Sequence, residues 1–164
     1  MWIRFKKLIS WTGYSKEAEP LPGRPVGLAE SRSLDHAHPA LGTAVRSMQA
    51  DSRAIYRKEL IVTSVYRSLE RQSELYRIGR RGIPGEKVVT HFDGFERRSR
   101  HNDWPSTAVD LAVDIEPGVP IKIVWNEADY EFIGILARKH GLEWGGHWAS
   151  FRDMPHVQLP RNVA

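Results

Sequence analysis

No cysteine occurs in the 164 residues, and that single absence excludes disulfides, thiolate metal ligands and a cysteine nucleophile. Any metal must therefore be held by histidine and carboxylate. Long apolar runs are lacking too: nothing approaches the roughly 18 residues of a membrane span. The basic, apolar opening Met1-Trp2-Ile3-Arg4-Phe5-Lys6-Lys7-Leu8-Ile9 leads into neither a sustained apolar stretch nor a small-residue cleavage site. No signal peptide is read there, and synthesis in the cytoplasm is expected. Internal repeats, low-complexity tracts, zinc-finger spacings and helix-turn-helix patterns are also missing. The whole case for nucleic acid is then a formal charge of +4 and a pI near 9.5, and specific binding to it is not expected.

What is present suits one domain. Hydrophobic content of 41%, with six Trp, five Tyr and five Phe, is enough for a single core. Residues 1–30 carry Pro20, Pro22, Gly23, Pro25 and Gly27 without a durable period, so they read as an arm or linker preceding a domain at 31–164. Trp2, Phe5, Leu8 and Ile9 make one face of a short basic turn suited to weak contact with an anionic membrane, although nine residues are few for a helix. The excess charge is concentrated in 67–100, which holds nine Lys or Arg against five Asp or Glu and favours a polyanionic partner.

Helical spacing of Leu41, Ala44, Val45 and Met48 after Pro39 predicts a first helix, and Leu60 to Tyr66, rich in β-branched residues, a buried strand. Ser68 offers a cap for a second helix that Gly79 or Gly82 closes. Residues 80–107 have no period and read as a long loop. From Ala108 to Ile115 polarity alternates, placing Val109, Leu111, Val113 and Ile115 on one face and Asp110 and Asp114 on the other. A helix capped by Asn126 should run to His140, with a last strand from His156 to Leu159. The order of elements predicts an α+β fold with a small antiparallel sheet and helices packed on one side.

Of seven histidines, His36, His38 and His140 fit surface or helix-end roles, and His91 lies in the long loop. His101 precedes the strand that presents Asp110 and follows Ser99. His156 starts the last strand, three residues after Asp153. Two histidines and one aspartate from separate segments can form a three-ligand zinc site with a fourth position for water, leaving Asp153 as a spare carboxylate. Spacing alone does not separate this from chance. Arg67, at a strand end, is either a surface ion-pair partner or a clamp for a substrate carboxylate or oxyanion. Trp104, Trp144 and Trp148 could line a groove or fill the core, with Trp144 favoured for the core.

Several segments in order carry a resemblance: Val65-Tyr66-Arg67-Ser68 with Gln72 and Leu75-Tyr76, Ser99-Arg100-His101, Ala108-Val109-Asp110, Leu142-Glu143-Trp144-Gly145-Gly146-His147-Trp148, and Phe151-Arg152-Asp153-Met154-Pro155-His156. Over roughly residues 31–160 the sequence resembles the LAS (M15) family of zinc peptidases. That family includes D-Ala-D-Ala carboxypeptidases and phage endolysins that cut the L-Ala-D-Glu bond, and the match is closest to the endolysins. The resemblance implies the family's hedgehog-like fold, Zn2+ on His101, Asp110 and His156, Asp153 as general base, and Arg67 steadying the substrate or transition state. Ser99, Gln72 and Trp148 are taken as substrate-binding candidates.

It further implies a monomer that acts on bacterial peptidoglycan once the membrane is permeabilised. The alternatives are a D-Ala-D-Ala carboxypeptidase and a non-catalytic wall-binding module. Two departures stand out. The step from His101 to Asp110 is nine residues where the family usually has seven, which leaves Asp110 or Asp114 as the ligand, with Ala-Val-Asp favouring Asp110. His147 occupies a place where relatives more often carry an acidic residue.

Overall fold

The computed structural model describes residues 23–117 and 121–161, so the basic turn expected at 1–9 lies outside the described residues. Five antiparallel strands form one sheet: β1 (Glu59–Ser64), β2 (Ala108–Asp114), β3 (Ile123–Val124), β4 (Glu143–Trp144) and β5 (His156–Gln158), in the order β1-β2-β5-β4 with β3 also pairing β2. Among the described residues three α-helices accompany it: α1 (Pro39–Asp51), α2 (Leu69–Arg77) and α3 (Glu131–Lys139).

The alternation of β2 explains the layering. Val109, Leu111 and Val113 are fully buried with Leu41, Val45 and Met48 of α1 and Ile133, Leu136 and Ala137 of α3 in one apolar cluster. Both helices thus cover the same face of the sheet, as the alternation requires. Asp110 is left on the other face, directly opposite His156 in the β2–β5 register.

Local chemistry sets the ends. His38 Nδ1 accepts from the Ala40 N–H at 3.3 Å and Pro39 follows it, so α1 starts with a side-chain cap and a residue that has no N–H to satisfy. Ser68 Oγ caps α2 by accepting from the Arg71 N–H. The strand expected through Tyr66 stops at Ser64. The β1–β2 register shifts between Val62 and Ser64, and the chain beyond pairs instead with the segment before α1: Val65 N–H donates to Ser31 at 2.7 Å and Ser31 N–H to Tyr66 at 2.9 Å. Ser68 N–H donates to Ala29 and Arg24 to the Tyr66 hydroxyl, so residues 24–30 lie on the domain although their composition reads as a linker. The helix expected from Asn126 to His140 is two pieces. Asn126 caps a short 3-10 turn at Glu127–Asp129, and α3 begins after Tyr130. Gly141, at φ +73, turns the chain away as expected.

Trp144 ties α3 to the loop after β4. A Cβ added to Gly134 would lie 2.3 Å from one edge of the Trp144 ring, and one added to Gly146 would lie 2.3 Å from the other edge region. Gly134→Ala is therefore expected to overpack the core and destabilise the fold by about 1–3 kcal/mol, despite the better helix propensity of alanine. A rise in thermal midpoint on making this substitution would contradict the close approach.

Candidate functional site

Three donor atoms converge where β2 meets β5. His101 Nε2 is 3.1 Å from Asp110 Oδ1, His156 Nδ1 is 3.0 Å from the same oxygen, and the two ring nitrogens are 3.3 Å apart. Among the described residues, His101, Asp110 and His156 form the group whose ligand atoms could hold a metal ion. A tetrahedral ion with bonds of about 2.0–2.2 Å sets its ligand atoms about 3.3–3.6 Å apart, so the triangle needs to open by only a few tenths of an ångström.

The outer hydrogen bonds decide what each ring offers. His101 Nδ1 lies 2.6 Å from the carbonyl of Val65, which can only accept, so that nitrogen carries the proton and Nε2 presents a lone pair. Gln158 Nε2 donates to Glu143 at 2.7 Å, which turns Gln158 Oε1 toward His156 Nε2 at 3.1 Å. His156 Nε2 is then the protonated nitrogen, and Nδ1 faces Asp110. Two lone pairs and a carboxylate oxygen pointing at one another repel unless a cation lies among them. The donor set therefore fits a divalent ion.

The first histidine is held by a 3-10 turn at Arg100–Asn102. His101 N–H donates to Ser99 Oγ, and Ser99 N–H donates to Asn102 Oδ1 at 2.8 Å in a reciprocal cap. Asn102 Nδ2 reaches the Arg67 carbonyl at 2.9 Å, fastening the turn to the end of β1. The extra residues of the nine-residue step fold out as a loop whose Trp104 packs on His36 and Tyr66, away from the triangle. Asp110 thereby keeps its place opposite His156. Asp114 is buried elsewhere, accepting from the Lys122 and Glu116 N–H groups in the β2–β3 connection. The structure brings Asp110, not Asp114, to the histidines.

Arg67 is neither a surface ion-pair partner nor a free clamp. Its Nη2 donates to Asp110 Oδ2 and its Nε to Ser64 Oγ at 2.9 Å, so it fixes the carboxylate whose other oxygen faces the histidines, while still lining the cavity. Charge follows this geometry. Burial pushes the Asp110 carboxyl up, but His101 and Arg67 outweigh it and hold it well below the usual range. Burial lowers the His101 imidazole. It also acts against charge on His156, yet the hydrogen bond and charge of Asp110, with Asp153, leave that ring above its ordinary value.

Asp153 is half-buried on the same cavity, and burial first, then the negative charge of Asp110, push its carboxyl up to about 6. The loop carrying it is pinned by the Asp153 N–H to the Gly145 carbonyl at 3.1 Å. A Cβ on Gly145 would meet the Asp153 carbonyl at 2.6 Å, so only glycine lets the two strands of this loop approach. The cavity, about 690 Å³, is also walled by Ser99, Trp148 and Phe151. The Trp148 ring stands 5.0 Å from His156, whereas Trp144 is buried in the core and donates to the Met154 carbonyl. Gln72 lies behind the wall rather than on it: fully buried, it holds Thr90 and the Phe92 carbonyl, so any effect on substrate passes through that loop. His147 is exposed beside Trp144, and His91 meets Phe151 across the cavity.

Sequence reasoning missed Gln158 and Glu143. Gln158 had a signal, since the period of two puts it on the same face of β5 as His156. Gln158→Leu removes the acceptor that fixes the His156 ring and should weaken metal binding by about 10–100-fold. Competition against a chromophoric chelator measures this, and unchanged affinity would deny Gln158 that role.

Comparison with known proteins follows the same outline. Residues 94–159 match the family model described as D-alanyl-D-alanine carboxypeptidase, of the M15 peptidases. The peptidoglycan L-alanyl-D-glutamate endopeptidase CwlK of Bacillus subtilis (strain 168) is 31% identical over 113 residues, a match that takes in 63% of this chain and 62% of that protein. The chain thus spans less than two thirds of the curated relative's length. The crystal structure of the Serratia marcescens L-Ala D-Glu endopeptidase ChiX superposes with a TM-score of 0.55 at 27% identity, covering 81% of this chain and 90% of that one.

Proposed function

We propose, for a chain of the M15 (LAS) peptidase type, zinc-dependent hydrolysis of a peptide bond in the peptidoglycan stem peptide, with L-Ala-D-Glu as the bond. The observation that carries this reading is the triangle of lone pairs at His101, Asp110 and His156 with a carboxyl on the same cavity, Asp153, that has no hydrogen-bond partner among the described residues. When bound there, a zinc ion supplies a Lewis acid that polarises a carbonyl and makes a water acidic. The protein's own groups do the rest. Asp153 takes a proton from the attacking water as its oxygen joins the carbonyl carbon, then passes that proton to the nitrogen as the C–N bond breaks. Arg67 keeps Asp110 oriented and adds positive charge beside the developing oxyanion. Trp148 and Phe151 give the peptide an apolar wall.

The names of CwlK and ChiX support the L-Ala-D-Glu bond, and the description of the family model keeps removal of a terminal D-Ala as the second reading. Action as a monomer after membrane permeabilisation, in phage-type lysis, is the finer part of the proposal and rests on the sequence motifs, since both relatives are bacterial. Purified sacculi digested with metal-loaded protein should yield new D-Glu amino termini, identified by mass spectrometry. Activity should vanish with a chelator and return with zinc. Release of D-Ala from free pentapeptide without solubilised wall would select the carboxypeptidase. Binding to sacculi unaffected by chelator, with no new termini, would leave only a wall-binding module.

A further inference from the structure

Four arginines on the cavity wall remain without a task in this reading. Arg97, Arg98 and Arg100 lie on the segment leading into His101, and Arg161 lies just beyond β5. Elsewhere Arg46, Arg53, Arg71, Arg81 and Arg152 each sit against a carboxylate. Exposed Arg32, Arg57, Arg77 and Arg138 have no carboxylate partner among the described residues either, and the cavity group differs from them in lining one concave space. Among the described residues Arg98 and Arg161 have no side-chain hydrogen bond or ion pair, Arg97 lies against the Phe92 ring and beside Asp93, whose Oδ1 accepts from the Arg97 backbone N–H at 3.1 Å, and Arg100 is 3.9 Å from Asp103 while its Nη2 reaches the Leu159 carbonyl.

Little in the cavity balances them. Its two lining carboxylates are Asp153, already taken up as the proton acceptor, and Glu143, which accepts from Gln158. Several guanidinium groups facing one concave space raise a positive potential that only a bound anion relieves, and each fork matches a carboxylate in two parallel hydrogen bonds. A D-glutamate residue in a peptide uses one carboxyl to continue the chain and leaves the other free. The free group sits within a few bonds of the scissile amide.

We infer that Arg98 and Arg161, with Arg97 and Arg100 beside them, form a carboxylate-recognition wall that selects stem peptides whose D-glutamate carboxyl is free over those in which it is amidated. This rests on the peptidase reading and specifies its substrate. An amidated D-glutamate would bring a neutral group that donates hydrogen bonds to a wall made of donors, losing both the charge and the pairing.

Two synthetic peptides test this, N-acetyl-L-alanyl-γ-D-glutamyl-L-lysine and its counterpart with the free D-glutamyl carboxyl amidated. Wild-type protein should cut the first with kcat/KM at least ten-fold higher, mainly through KM. In Arg98→Gln/Arg161→Gln that ratio should fall to within three-fold. Arg100 is left intact because it holds the Leu159 carbonyl. A control of equal charge, Arg32→Gln/Arg77→Gln, removes exposed arginines outside the cavity and should keep the wild-type ratio. A wild-type ratio near one, or equal collapse in both double variants, overturns the proposal. Calorimetry with zinc-loaded Asp153→Asn and the same peptides separates recognition from hydrolysis. If metal-loaded wild type cuts neither peptide but the free carboxylate still binds the variant at least ten-fold tighter, the recognition wall stands and the hydrolysis reading falls. Equal binding of the two overturns the wall itself.

Discussion

Replacing Asp153 by asparagine is expected to abolish hydrolysis while leaving the metal bound, and also to make the metal-free protein harder to unfold. The catalytic loss should be about 10²–10⁴-fold, the usual worth of a positioned general base. The stability gain follows from the raised carboxyl. Its pKa is about 6 in the folded protein against an ordinary 3.8. Below pH about 3 the group is largely neutral in folded and unfolded chains and costs almost nothing. As pH rises from about 4 through 6 the unfolded chain ionises first, and stability is lost until both states are charged. Above that window the aspartate costs on the order of 2–3 kcal/mol, which asparagine does not incur. Urea unfolding of the metal-free pair at pH 3 and pH 7.5 should therefore show little difference at the first pH and a more stable variant at the second. Equal stability at both would mean that Asp153 is well solvated and no better placed than a surface aspartate.

His156→Ala is expected to lose metal and activity together, with metal affinity falling by more than the roughly 10–100-fold that outer hydrogen-bond partners are worth. It is a cleaner test than removing Asp110. That carboxylate also balances Arg67, and leaving the half-buried guanidinium without it would cost about 3–5 kcal/mol on its own account. His101→Ala has a similar defect, because it empties a fully buried site and removes one of the two donors, with Ser106, to the Val65 carbonyl. Equilibrium dialysis of zinc against His156→Ala and Asp153→Asn should give weak binding in the first and wild-type binding in the second. Zinc held equally by both would remove His156 from the ligand set.

Much of this was legible in the sequence where one period dominated. The alternation of Ala108 to Asp114 fixed both the core-facing side of β2 and the place of Asp110 on the opposite face, although packing buries that face too, and Pro39 and Ser68 marked two helix starts. The choice between Asp110 and Asp114 was harder, because both share a face. It was decided by pairing between strands far apart in sequence, which sets Asp110 and not Asp114 across from His156. The division of the 126–140 helix escaped notice because Tyr130 is fully buried at the join, so packing overrode a continuous helical pattern. Strands of two residues such as β3 and β4 have too few positions to show alternation. The role of Arg67 changed for a related reason: whether an arginine is free depends on its partners, and those are set by the fold.

The glycines on either side of Trp144 bear on how this domain can diverge. With Gly134 and Gly146 both held against the indole, none of the three positions can drift alone. A larger residue at either glycine demands a smaller ring first, and a smaller ring leaves a void until a glycine is filled. Substitutions here should be strongly epistatic, harmful singly and tolerated in pairs. Because the indole also donates to the Met154 carbonyl, one residue from Asp153, such an exchange would shift the proton-accepting loop with it. The lineage would then be free to change its chemistry only along routes that repack the core.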